Sequence, residues 1–147
     1  MFLESQAFNQ PLSFNTSSVT EMDHMFAVAS AFNQPLKNFD TSGVTSIRGM
    51  FADANSFNQP LNFDTSSVTS MAGIFAEATS FNQLLSFDTT SVENMFQMFT
   101  GAVSFDQPLK FDTSSVTDMS HIFAYADSLS DANKLLISCA WTGSPAF

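Results

Sequence analysis

The sequence predicts an α/β repeat protein: a solenoid with one short parallel strand and one short helical segment per coil, closed by a C-terminal capping helix. Three observations carry that expectation. The phrase Phe-Asn-Gln-Pro-Leu begins at Phe8, Phe32 and Phe57 and returns in variant form at Phe81 and Phe105, 24 or 25 residues on each time. Within each unit the apolar residues first alternate, then change to steps of three and four. The last residues leave the repeat for a separate amphipathic pattern. A fixed period of this length marks an array whose units bury their apolar faces only against one another.

The strand is expected first. Leu12, Leu61, Leu85 and Leu109 each stand two residues before a Phe, at Phe14, Phe63, Phe87 and Phe111. Leu36 and Phe39 repeat the pair around one inserted residue in Lys37-Asn38. Residues two apart share one face of an extended segment. Pro11, Pro35, Pro60 and Pro108 precede the Leu. Proline has no N–H, so it fits only a strand's first residue or its edge. The strands are therefore short, at Leu12–Asn15 and around Phe39, Phe63, Phe87 and Phe111.

The turn comes next. Asn15-Thr-Ser-Ser, Asp40-Thr-Ser-Gly and their equivalents at Asp64, Asp88 and Asp112 are side chains that bond to nearby backbone N–H groups and reverse the chain. Beyond them the apolar stripe is helical in spacing: Val19, Met22, Met25 with Phe26, and Ala29; then Val44, Ile47, Met50, Phe51 and Ala54, and so through every unit. The Val-Thr piece reads equally well as a second short extended stretch. In Ser18-Val-Thr-Glu21 and Ser115-Val-Thr-Asp118 an acid three residues on suggests a capping box.

The ends differ from the middle. Met1-Phe2 aligns with Met25-Phe26, so the chain begins mid-coil, as a segment of a longer array would or one whose first face meets a partner. About five repeats occupy 1–128, and 129–147 form a cap. Ser130 is a good N-cap and Asp131 sits in the first turn. Ala132, Leu135, Leu136 and Cys139 make one apolar face, with Trp141 and Phe147 as further cover.

Composition excludes several functions. There are 18 Phe and 8 Met but only 1 Trp and 1 Tyr, so Phe fills the core that Leu fills elsewhere. Lys plus Arg number 4 against 14 Asp plus Glu, a net charge of −10. That field repels nucleic acid and anionic lipid and favours basic partners. Cys139 is the single Cys, so no internal disulfide can form. No run of 18 apolar residues predicts membrane insertion, and the first residues have no basic, apolar leader pattern. Asn15-Thr16-Ser17 matches a glycosylation sequon.

The unit F-N-Q-P-L-x-F-D-T-S-S-V-T-x-M-x-x-M-F-x-x-A resembles the repeats of BspA-like surface proteins, relatives of leucine-rich-repeat proteins found in mycoplasmas, other bacteria, protists and algae. The resemblance covers 1 to about 128. It implies a right-handed, leucine-rich-repeat-type solenoid, exposure at a cell surface or in an extracellular assembly, and adhesion or protein binding. Phe81-Asn-Gln-Leu-Leu85 lacks the Pro, and Glu93 replaces the usual Thr.

Function in such an array sits on columns of surface residues. The column Asp40, Asp64, Asp88, Asp112 is the candidate for calcium, since rows of oxygen ligands suit a hard cation; bonds to the turn's own N–H groups explain it as well. Gln34, Gln59 and Gln83 form an amide column suited to a repetitive carbohydrate or to bonding along the axis. The polar residues that vary between coils, Glu21, His24, Arg48, Glu93, Gln97, Asp118 and His121, suit a specific protein contact. His24 and His121 lie in distant coils without a second ligand, and no phosphate loop or nucleophile motif occurs. The expectation is a non-enzymatic module without cofactor that binds a protein or joins a larger complex. The alternative is a carbohydrate- or calcium-binding module.

Overall fold

The fold is described from a computed structural model covering residues 1–144 and 146. Repeats stack coil on coil, but they are built from turns. Among the described residues there is one α-helix, α1 (Asp131–Ala140), and no sheet. The expected α/β solenoid of leucine-rich-repeat type, with a strand and a helical segment in every coil, is therefore overturned.

The stripe read as helical is a ribbon of successive β-turns. In the first full coil Met25, Ala27 and Ala29 donate their N–H to the carbonyls of Met22, His24 and Phe26, each three residues back. The intervening N–H groups leave the coil: Met22, His24, Phe26 and Val28 donate to Ser46, Arg48, Met50 and Ala52 of the next one. The same four bonds join the following coils, from Ile47, Gly49, Phe51 and Asp53 onward. An α-helix would spend all these groups within itself. Every fourth residue also has positive φ: His24 and Val28, Gly49 and Asp53, Gly73 and Glu77, Gln97 and Gly101, His121 and Tyr125. Each is the third residue of a four-residue turn, where a type II turn requires φ > 0 and where a right-handed helix cannot continue.

The expected strands at Leu12–Asn15, Phe39, Phe63, Phe87 and Phe111 are not there. Parallel pairing is confined to isolated bridges, Glu21 with Ser46, Ser46 with Ser70, Ser70 with Asn94 and Asn94 with Asp118. They fall just after the Val-Thr piece. On the Leu–Phe side, side chains do the joining instead. Asn9 Oδ1 accepts the N–H of Asn33 and the amide of Gln34, and Asn33, Asn58 and Asn82 repeat this toward the next coil. The buried hydroxyls of Thr16, Thr65 and Thr89 donate to the carbonyls of Asp40, Asp88 and Asp112. Proline at the head of the segment and side chains along it leave no continuous backbone ladder.

The core is a double column of stacked rings. Phe26, Phe51, Phe75, Phe99 and Phe123 follow one another at centroid distances of 5.6–5.9 Å. Beside them run Phe32, Phe57, Phe81 and Phe105, with neighbours in the two columns 3.8–4.3 Å apart. Phe2 starts the first column above Phe26, and Trp141 ends it 5.8 Å beyond Phe123.

Helix α1 replaces the Leu–Phe half of a further coil. Ser130 caps it, its Oγ accepting the N–H of Asn133. Only Ile137 of the helix is buried. Ala132, Leu135, Leu136 and Cys139, the face expected to pack inward, are exposed, Leu135 by 65%. The helix is rotated by its anchor. Asp106 stands where the other coils have Asn, and its Oδ1 accepts the N–H and hydroxyl of Ser130 and the amide of Asn133. Asn133 and Ile137, one turn apart, thus face the stack. Phe147, expected as further cover, lies outside the described residues.

Candidate interaction face

The repeated columns are occupied by the stack itself. In the turn column Oδ1 of Asp40, Asp64, Asp88 and Asp112 accepts the N–H of the residue two places on. All four carboxyls are held below the ordinary 3.8, chiefly by the hydroxyls of Ser42, Ser66, Thr90 and Ser114 and then by the backbone N–H of the same residues. Mutual repulsion, felt by Asp88 from Asp64 and Asp112, is outweighed. Among the described residues no group of three or more His, Cys, Asp or Glu could hold a metal ion. In the amide column Gln34, Gln59 and Gln83 each spend an Nε2 donor on the Asn of the coil before.

The variable residues other than Arg48 fall in or beside two rows on the turn ribbon. Glu21 and Asp118 lie in the row of parallel bridges, with Glu93 beside it. Asp118 is half-buried, its Oδ1 accepting the N–H of Ser120, whose N–H and hydroxyl hold its carboxyl low. His24, Gln97 and His121 share the first positive-φ column with Gly49 and Gly73. His24, Arg48 and Gln97 come together around a shallow groove of about 200 Å³, floored by Gly49, Ala52, Ala72, Gly73, Ala76 and Phe96. His121 reaches it only through Phe96, edge to face at 6.3 Å.

Glycine makes this groove. At Gly49 the backbone has φ +54, and a Cβ would come within 2.7 Å of the His24 ring. The imidazole lies over the glycine because nothing else occupies the space. The Glu77 carboxylate lies over Gly101 in the same way, in the second positive-φ column. Next to His24 in sequence, Asp23 Oδ1 accepts the N–H of Arg48 in the next coil.

Sequence reasoning named the variable residues but missed the glycines that shape their surroundings. The signal was there. Gly49 and Gly73 align with His24, and Gly101 aligns with Glu77. A glycine recurring in one column of a repeat marks a positive φ, and mid-helix it would cost about 1 kcal/mol against alanine. Missed too was the larger hollow of about 490 Å³ on the Leu–Phe side. It opens beside Leu84, which stands where other coils have Pro, and is bounded by Pro108, Lys110 and Phe111.

A family described as "Mycoplasma protein of unknown function, DUF285" matches residues 1–62 and again 61–139. The chain belongs to the DUF285 family. The two matches divide the repeat array between them and run into α1, so in this chain the DUF285 unit spans more than two coils. No curated protein and no solved structure matches the chain. Among the described residues no helix is long and apolar enough to cross a membrane.

Proposed function

We propose that this DUF285 chain is a non-enzymatic protein-interaction module, displayed at a cell surface or in an extracellular assembly, that contacts its partner through the turn ribbon. One observation supports the face in particular. The Asn, Gln and Asp columns each commit one polar atom to a turn or a neighbouring coil and repeat nearly unchanged, whereas His24 and Arg48 are exposed side chains that differ from coil to coil. Identical columns suit a polymer. Varying ones suit a particular protein surface. The likeness to BspA-like proteins supports the adhesive and surface-exposed part of the reading, and the charge of −10 supports a basic partner.

The test is capture of a partner from the source organism by the native chain, followed by charge reversal. Arg48→Glu and Glu93→Lys should each weaken capture and leave the melting temperature nearly unchanged, because both side chains are exposed. If capture survives both and is lost only in Gln34→Ala, Gln59→Ala or Gln83→Ala chains that still melt normally, the ligand is repetitive and a carbohydrate takes the protein's place.

A further inference from the structure

The stack has a direction. At each of the four joints between full coils along the turn ribbon, four N–H groups of one coil donate to four carbonyls of the next. The last such joint runs from Met95, Gln97, Phe99 and Gly101 to Asp118, Ser120, Ile122 and Ala124. Beyond it the chain turns into α1, and Trp141, which follows the helix, stacks on Phe123 at the end of the ring column. Among the described residues the N–H groups of Met119, His121, Phe123 and Tyr125 donate to nothing. The final coil therefore ends in a row of donors at alternate residues.

That row is already shaped for a partner. His121 and Tyr125 hold φ +58, as the inner coils do at the same positions. Ile122, Ala124 and Ala126 close the same four-residue turns seen in every full coil. The edge keeps the backbone conformation of a filled joint without its filling, so docking there requires no reordering of this side. Tyr125, on the same edge, is 77% exposed.

We propose that this edge takes up an extended, basic segment of a partner protein, which runs parallel to the last coil and supplies the carbonyls of alternate residues. Continuity with the four filled joints fixes the backbone chemistry and direction of the occupant. Charge fixes its sign: the chain carries −10, and Asp118 and Asp127 flank the row. A two-fold pairing of this edge with its own copy is excluded by the chemistry, since donors would face donors. Free anions are disfavoured by the same negative field. The mode is strand addition adapted to a turn ribbon, with affinity from main-chain bonds. It concerns the end of the stack, so charge reversal at Arg48 and Glu93 leaves it intact and the two readings fail separately.

The probe is a peptide of residues 68–78 with two lysines added at each end. In its own coil this segment already offers the carbonyls of Ser70, Ala72, Ile74 and Ala76 to such a row. Added to the isotope-labelled 147-residue chain, it should slow amide exchange at Met119, His121, Phe123 and Tyr125 about tenfold at saturation and leave Met95, Gln97, Phe99 and Gly101 unchanged. A semisynthetic chain with esters in place of the Ser120–His121 and Ala124–Tyr125 amides loses two donors and no side chain. It should bind the peptide about tenfold more weakly or worse. Unchanged exchange at the four amides, or equal binding by the ester chain, overturns the proposal. So does protection that rises with chain concentration when no peptide is present, which would assign the edge to a second copy.

Discussion

The same spacing of apolar residues occurs twice in this chain with opposite outcomes. In each coil a stripe such as Met71, Ile74, Phe75, Ala78 is wholly buried, and it is not a helix. In α1 the stripe Ala132, Leu135, Leu136, Cys139 is on a helix, and it faces solvent. The difference lies in where backbone N–H groups find acceptors. Inside the array alternate N–H groups of a turn ribbon bond outward to the next coil. In α1 the backbone bonds close within the helix, and its orientation is set by polar anchors. Asp106 takes hold of Ser130 and Asn133, and Ile137 follows Asn133 inward.

Truncating the two stripes separates them most sharply. Phe75 is fully buried between Phe51 and Phe99 and touches Phe81 at 3.8 Å. Phe75→Ala should cost about 3–5 kcal/mol in urea unfolding. Leu136→Ala, on the exposed helix face, should stay within about 0.5 kcal/mol. Within α1 the expectation inverts the sequence pattern: Ile137→Ala should cost about 2–5 kcal/mol. A larger loss for Leu136 than for Ile137 would mean that the helix packs by its periodic stripe after all.

A smaller effect tests the side-chain joints that replace a ladder. Thr65 donates to the Asp88 carbonyl from a buried position, so Thr65→Val should cost about 1 kcal/mol. Thr41 belongs to the coil with the inserted residue, and its buried hydroxyl has no partner among the described residues. Thr41→Val should be neutral or stabilising, since an unpaired buried hydroxyl is already a cost. Equal losses at both positions in thermal melts would show that the insertion does not disturb the joint.

The smallest effect is acid sensitivity of the turn column. A carboxyl whose folded pKa is lowered stabilises the fold above its ordinary value, and that contribution is lost as pH falls through the folded one. Asp40, Asp64, Asp88 and Asp112 all shift this way. With respect to this column, stability should stay level from neutrality to about pH 4 and decline below it. Asp64→Asn with Asp88→Asn should make that decline shallower. An unchanged acid limb in the double variant would remove the column from the account.

Much of this was legible in the residues and some was not, for physical reasons. The period located every coil, and Ser130 marked the helix start, because stacking and N-capping leave local signatures. The choice between helix and turn ribbon was hidden. A turn ribbon with positive φ at every fourth residue buries side chains three and four apart, as a helix does, and only Gly49 and Gly73 in one column and Gly101 in the other tell them apart. The orientation of α1 was hidden because apolar periodicity pointed one way and a single Asn-to-Asp change, at Asp106, pointed the other. The variable residues were legible as a set. Their division into a bridge row and a groove around His24, Arg48 and Gln97 needed the backbone.

The central claim is that the buried stripe belongs to a turn ribbon, and Gly73→Ala tests it most directly. Gly73 has φ +61, and an added Cβ would meet only the Ala76 Cβ at 3.8 Å, an ordinary contact. Space is therefore not at issue, and the result reports the backbone alone. On a turn ribbon the substitution should lower the unfolding free energy by about 1–2 kcal/mol, because alanine resists the left-handed conformation. On a helix it should raise it by about 1 kcal/mol. A gain in stability would contradict the ribbon.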